Sequence, residues 1–235
     1  SGFLEINGKK IRIKNVHLEE DTGSLIHPPE ADYSLVNFNR AGVPLMELAT
    51  QPDINSAKEA RKFAEEFHLI MHYLDVSDAD MEKGQMRVEV NISLSKEKEK
   101  LGTKVEIKNL NSFKAVEKAI EYEIKRQSDL LESRKKVIQE TRGWNDKKQI
   151  TVSQRIKEEA QDYRYFPEPD LPILVLDSSP ADKTDYIDID KIKAFLPELP
   201  SFRRERFKRE YNISEKDIEI LIINKELGEY FESIV

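Results

Sequence analysis

Two short segments with an apolar residue at every second position, MRVEVNISL and TKVEIKNL, lie between two long segments with apolar residues at helical spacing. Period two is the side-chain period of a strand, and a strand with one apolar face demands a cover for it. In the first segment Val88, Val90 and Ile92 face one way, and Arg87, Glu89 and Asn91 the other. In the second, Val105 and Ile107 oppose Lys104, Glu106 and Lys108. The helical segments supply the covers. One spans about 57–74, with Ala60, Phe63, Ala64, Phe67, Ile70, Met71 and Leu74 as its stripe and Ser56 and Glu59 as a capping box. The other runs from Phe113 to Leu131 on Phe113, Val116, Ile120, Ile124 and Leu131. This combination predicts an α+β fold with a mainly antiparallel sheet. Strands near 3–6, 9–13, 86–93 and 103–108 are expected to share one sheet, with both helices on one face.

Local signals add detail. FLEINGKKIRI alternates about Asn7-Gly8, a pair suited to a hairpin whose two turn residues need positive φ. Beyond it the apolar phase slips, from Ile11 and Ile13 to Val16 and Leu18, which predicts a β-bulge near Asn15. After the slip come three consecutive acids, Glu19, Glu20 and Asp21, whose mutual repulsion offers a strand end no stability. KKVIQETRGW and QITVSQRIK form a hairpin about NDKK. YRYFPEPDLPILVL is a proline-punctuated segment leading into a short strand, and it suits either a rigid loop tucking Tyr163, Tyr165 and Phe166 into the core, which the pattern favours, or a preformed binding loop with Arg164 and Asp170 exposed. Near Phe195 the composition shifts to short polar helices, so residues 1–194 are expected to form one domain and 195–235 to begin an all-helical one. The chain starts with Ser1 and stops inside a helical pattern, as an interior piece of a longer protein would.

The chemistry has few candidate sites. With no cysteine there is no disulfide, thiolate metal site or cysteine nucleophile among these 235 residues. Neither of the common glycine-rich phosphate loops is present, nor a Gly-x-Ser-x-Gly elbow. The net charge of -7 leaves nucleic-acid contact to local patches such as FRRERFKRE, which equally suits the solvated face of a short helix. His68 and His72 stand at metal-ligand spacing on a helix, without an evident third ligand. Polar faces recur on three strands: His17 and Glu19; Arg87, Glu89 and Asn91; Lys104, Glu106 and Lys108. Such faces can be solvated charge pairs. They can also be a bed for Mg²⁺, which takes oxygen ligands, with Lys and Arg neutralising phosphates.

Six segments, VHLEEDTG, DYSLVNFNRAGVPLMEL, VSDADMEKGQMRVEVNIS, GTKVEIKNLNSF, QETRGW and DYRYFPEPDLP, occur in an order that resembles the GatB family. These are the B subunits of glutamine-dependent aspartyl/glutamyl-tRNA(Asn/Gln) amidotransferases. The resemblance implies a cradle fold like the catalytic sheets of glutamine synthetase and the guanido kinases, its N-terminal part missing here, followed by the start of a helical domain. It implies a C–N ligase activity in a cytoplasmic heterotrimer with an amidase A subunit and a small C subunit. Mg²⁺ and ATP would serve to phosphorylate the side-chain carboxylate of Glu-tRNA(Gln) or Asp-tRNA(Asn), and ammonia from the A subunit would displace the phosphate. The alternatives are a tRNA-binding module without catalysis, and the archaeal Glu-specific E subunit. The acids of VHLEEDTG then fall to the metal site. Glu19, Glu20, Glu82 and Glu89 are the implied metal ligands, Arg87, Glu89 and Lys108 the implied ATP contacts, and Glu19, Glu20, Arg87 and Lys108 the implied catalytic set. The sequence departs from the family pattern at Thr50-Gln51, where Ser-Glu is usual, and at Gln85, Val88 and Glu89, where Ser, Cys and Asp are common. The family's early Glu-x-His segment is not among these residues.

Overall fold

The computed structural model describes residues 2–29, 31–97, 100–156, 175–177 and 186–235. The loop DYRYFPEPDLP, with Arg164 and Asp170, lies outside the described residues. The chain forms two compact units, Ser1–Phe63 and Ala64–Val235.

The first unit opens with β1 (Phe3–Ile6) and β2 (Lys9–Glu20). They pair as an antiparallel hairpin about Asn7 and Gly8, whose φ values of 52° and 77° are those a two-residue turn requires. β3 (Ser24–Ile26) and β4 (Leu35–Asn37) make a small second hairpin, and β5 (Pro44–Thr50) returns along β2. The register of β2 on β5 shifts between Ile13 and Asn15, so the expected bulge is present, with Lys14 the extra residue. Beyond the bulge the apolar face stays uncovered within this unit: Val16 is 49% and Leu18 80% exposed. Before it, Ile6 and Ile11 pack with Phe63 into a small core flanked by Leu4, Leu48 and Ile54. Arg12 grips Asp53 with Nε at 2.8 Å and Nη2 at 2.6 Å, and its backbone N–H donates to the same carboxylate. Those hydrogen bonds hold the Asp53 carboxyl down at about 2.

The division between units falls inside α1 (Ala57–Tyr73). The capping box at its start is only half reciprocal. Ser56 Oγ accepts from Glu59 N at 3.2 Å, while Glu59 accepts from the N–H of Asn55 and from Lys9 Nζ.

In the second unit β6 (Val88–Ile92), β7 (Val105–Leu110), β8 (Glu140–Asn145) and β9 (Ile150–Ile156) form one sheet in that order, with α2 (Phe113–Glu132) between β7 and β8. The helix is capped by Ser112, whose side chain accepts from Ala115 N. β7 and β8 run parallel, as a helical crossover requires, and the other pairs are antiparallel. α2 buries Ala115, Val116, Ala119 and Ile120, and beneath the sheet's covered face Val105 and Ile107 are fully enclosed. The expectation of one sheet containing both the first hairpin and β6–β7 is corrected: they belong to separate sheets, because β2 takes its second edge from β5, a strand that alternation did not mark.

β10 (Val175–Asp177) and β11 (Tyr186–Asp188) make a two-stranded parallel pair, followed by α3 (Ile189–Ala194), α4 (Pro200–Glu210), α5 (Glu215–Ile223) and α6 (Lys225–Ile234). Phe207, Ile218, Leu221 and Ile222 are the core of the last three helices, with Leu69, Tyr211, Ile213 and Phe231 packed against it. Tyr73 Oη donates to the Ile222 carbonyl at 2.9 Å. The basic run FRRERFKRE is α4, and its cations are engaged. Arg203 and Arg206 bond Glu232, Arg206 also bonds Glu198, Arg204 bonds Glu66 and Glu219, Lys208 bonds Glu215, and Arg209 bonds Glu210. A run whose charges are matched this way suits packing among acidic helices better than a phosphate track.

Gly102 tests the β6–β7 connection. A Cβ there would overlap the Leu94 carbonyl oxygen, a backbone atom with little freedom to retreat. Gly102→Ala is expected to cost about 2–3 kcal/mol as overpacking. Gly8→Ala meets no atom within 4 Å, and only its left-handed φ opposes it, at about 1 kcal/mol. Urea unfolding of both variants checks the difference.

Candidate functional site

The acidic segment at the end of β2 divides into two kinds of carboxylate. Asp21 is structural. Its Oδ1 accepts from Gly23 N at 2.8 Å and its Oδ2 from Arg40 Nε at 3.1 Å, while its backbone bonds Val43 and Gly42. Together these hold the turn that leads off β2. Glu19 and Glu20 are different. Both are exposed, and neither has a side-chain partner among the described residues. They lie opposite Leu45 and Pro44 in regular register, so they project to opposite faces of the strand, Glu19 with His17 and Glu20 with Leu18. The three acids do not form one bed: one ties a turn, and the other two, without side-chain partners among the described residues, point to opposite faces.

In the second unit the sheet face away from α2 is polar. Asn91, Glu106 and Thr141 lie abreast across β6, β7 and β8, and Lys108 lies beside Gly143. Between Val88 and Val90 on β6 the partners on β7 step from Leu110 to Ile107, so β7 carries an extra residue around Lys108 and Asn109. Asn109 takes the left-handed φ of 64° that such a bulge uses. Lys108 Nζ donates to Glu89 Oε1 at 2.9 Å and lies 3.9 Å from Glu106, which accepts from Thr141 Oγ1 at 2.7 Å. The structure thus brings Glu89 and Lys108 together as an ion pair. Arg87 precedes β6, exposed and without a partner among the described residues. Glu82 is exposed in the turn that Asp80 organises. The Asp80 carboxylate accepts from the backbone N–H of Lys83 and of Glu82, which holds its pKa below the ordinary value.

Behind this face is a buried network that alternation did not reveal, because two charged residues occupy positions on the covered side. Glu123 is fully buried on α2. It accepts from Arg126 Nε and Nη2 at 2.9 Å each, from Gln127 Nε2 at 3.0 Å and from Thr151 Oγ1 at 2.5 Å, and lies 3.1 Å from Arg142 Nε. Arg142 also donates to Glu140 at 2.6 Å, and Glu140 accepts from Ser153. Two arginines and two glutamates balance, as burial demands. Burial pushes the Glu123 carboxyl up, but the hydrogen bonds from Arg126, Thr151 and Gln127 outweigh it, so its pKa stays below the ordinary value. The available signals were the QETRGW motif and the Glu123–Gln127 spacing of one helical turn.

Whether a Mg²⁺ ion suits these residues turns on donor chemistry. Mg²⁺ usually takes one or two carboxylates and fills its remaining positions with water and phosphate oxygens. Glu19 and Glu20 are hard, exposed and unpaired among the described residues, and, since they project to opposite faces, each can offer such an ion one carboxylate. Among the described residues no three His, Cys, Asp or Glu side chains converge to hold a metal, so carboxylates alone do not complete a shell here.

Glu123→Gln keeps the side chain's shape and removes its charge, leaving two part-buried arginines to share Glu140. The variant is expected to lose about 3 kcal/mol in urea unfolding at neutral pH. The sign with pH follows from the lowered pKa. The carboxylate's contribution is complete above its unfolded value and is lost as pH falls through its folded one. The gap between wild type and variant should therefore shrink on acidification through that window.

The family description "GatB/GatE catalytic domain" matches residues 1–182. The chain is 50% identical over 238 residues to the B subunit of the aspartyl/glutamyl-tRNA(Asn/Gln) amidotransferase of Clostridium kluyveri, covering 99% of this chain and 48% of that protein. It is 49% identical over 243 residues to the protein of the same description from Thermotoga maritima, covering 100% of this chain and 49% of that one. It is 48% identical over 235 residues to that of Caldicellulosiruptor bescii, covering 99% and 47%. The chain thus spans about half the length of the curated relatives it matches.

Proposed function

The chain belongs to the GatB/GatE catalytic domain family, and on that premise we propose that it is catalytic sequence of the B subunit of a tRNA-dependent amidotransferase. The observation that carries the reading is the similarity of nearly the whole chain, at about half identity, to proteins described as B subunits of aspartyl/glutamyl-tRNA(Asn/Gln) amidotransferases. That similarity also favours the B type over the E type. The largely buried ion pairs of Arg203 with Glu232 and of Arg204 with Glu66 speak against the alternative of a tRNA-binding module relying on those α4 cations.

The proposed reaction is a C–N ligation on mischarged Glu-tRNA(Gln) or Asp-tRNA(Asn). The side-chain carboxylate takes the γ-phosphoryl group of ATP, releasing ADP. Ammonia from a partner amidase A subunit then attacks the acyl carbon, and inorganic phosphate leaves. Activation is needed because a carboxylate oxygen is a poor leaving group and phosphate a good one. Bound Mg²⁺ would neutralise phosphate charge during the transfer. Glu19 and Glu20 project to opposite faces of β2, so one of the two, Glu20, is proposed to hold it, and Glu82 and Glu89 are the carboxylates proposed for the same role in the second unit. Arg87, free of partners among the described residues, is proposed to bind phosphate. Lys108 would do so by turning part of its charge from Glu89, an exposed pair that costs little to open. We place the reaction in a cytoplasmic complex of A, B and C subunits, with residues 195–235 beginning a helical domain. No helix among the described residues is long and apolar enough to cross a membrane.

Glu20→Gln in the full-length protein, assembled with its partners, tests the site. Glu20 has no side-chain partner among the described residues, and the change relieves repulsion with its neighbours, so the melting temperature without Mg²⁺ should match wild type or rise slightly. The tRNA-dependent ATP cleavage and transamidation should fall by about a hundredfold or more, the loss expected when a group stabilising developing charge is removed, while glutaminase activity persists. Full ATP cleavage in the variant would remove Glu20 from the metal site. A marked drop in melting temperature would make it structural.

A further inference from the structure

On α1, one turn apart, His68 and His72 bring their Nε2 atoms to 3.2 Å, with ring centroids 4.5 Å apart and planes inclined by 56°. We propose that this pair is a binding site for a borderline divalent cation, Zn²⁺, Ni²⁺ or Cu²⁺, distinct from the carboxylates proposed for Mg²⁺ and independent of that reading. Two imidazole nitrogens bound to one tetrahedral ion at 2.0–2.1 Å stand roughly 3.3 Å apart. The observed span of 3.2 Å is therefore already that of a chelate, and a turn of each ring that keeps this span aims both lone pairs at one ion.

Three features support a ready site. His68 is held in place: it is half-buried, and the Phe113 ring meets it nearly edge-on at a centroid distance of 5.5 Å with planes at 77°. His72 is exposed, so water can complete the coordination that two protein ligands leave open. His68 favours the neutral form a metal needs, since burial and the neighbouring His72 lower its pKa and outweigh the opposite pull of Asp80. Without metal, the two rings share one hydrogen bond. Binding requires the donating ring to carry its single proton on Nδ1 instead, with no net change of charge on the protein. Competing soft ligands are scarce, because the chain has no cysteine and four histidines, and His27 is occupied with Ser34 at 2.7 Å. No third His, Cys, Asp or Glu joins the pair to make a closed cage among the described residues. The site is thus an open two-ligand one, favouring Cu²⁺ over Zn²⁺ and Ni²⁺ and ignoring Mg²⁺.

The test is calorimetric titration of the full chain with Zn²⁺ alone, repeated with Ni²⁺ and with Mg²⁺ as competitor. The expected result is one saturable Zn²⁺ ion per chain, unaffected by excess Mg²⁺. His72→Ala, at an exposed position, should weaken binding by about tenfold or more, with the metal-free far-ultraviolet circular dichroism and melting curve unchanged. His68→Asn should do the same and serves as the second variant. The double variant His17→Ala/His27→Ala should bind as wild type does. Absence of saturable binding below about 1 mM, or binding that His72→Ala leaves intact, overturns the proposal.

Discussion

Glu123 sits fully buried on a helix between two arginines, and the second unit is organised around satisfying it. A lone carboxylate in that position would be expelled or protonated. Here Arg126 approaches from its own helix, Arg142 from β8 and Thr151 from β9, so the charge is met only if α2 lies across those strands in one register. Gln127, one turn on, extends the same requirement to the chain leaving β6 by accepting from Leu94 N. Apolar burial of Val116 and Ile120 drives α2 onto the sheet without specifying its rotation or axial position. The ionic network supplies that specification.

The polar face on the other side of the sheet inherits its geometry from this arrangement. β8 reaches Thr141 toward Glu106 because Arg142, one residue on, is held on the covered side. The extra residue of β7 around Asn109 turns Lys108 so that one ammonium serves Glu89 and lies near Glu106. The result is a surface with one ammonium between two carboxylates, beside which Arg87 has no partner among the described residues. In the first unit the logic is different. Asp21 is consumed in closing a turn with Arg40, while Glu19 and Glu20 end β2 as exposed charges with no side-chain partner among the described residues.

The closing helices show how misleading a local charge count can be. α4 is strongly basic in sequence, yet its arginines are engaged by carboxylates of α1, α5, α6 and the preceding loop. Gly228 makes the tight packing possible, since a Cβ there would stand 2.6 Å from the Leu221 carbonyl and 3.0 Å from Arg203 Nη2.

The elements themselves were readable along the chain. The Asn7-Gly8 turn, the bulge before Asn15, both long helices, the serine cap of the first and the hairpin about NDKK follow from φ preferences and from periods of two and 3.6, which few neighbouring residues express. So did the acidic motif and the family to which it points. Partnership was not readable. That β2 pairs with β5 and stands in a separate sheet from β6, that Asp21 belongs to Arg40 while Glu19 and Glu20 have no side-chain partner among the described residues, and that Glu123 is buried rather than solvated all depend on residues brought close from distant parts of the chain. Periodicity records which face of an element is apolar. It carries no label for what that face, or a charge upon it, will meet.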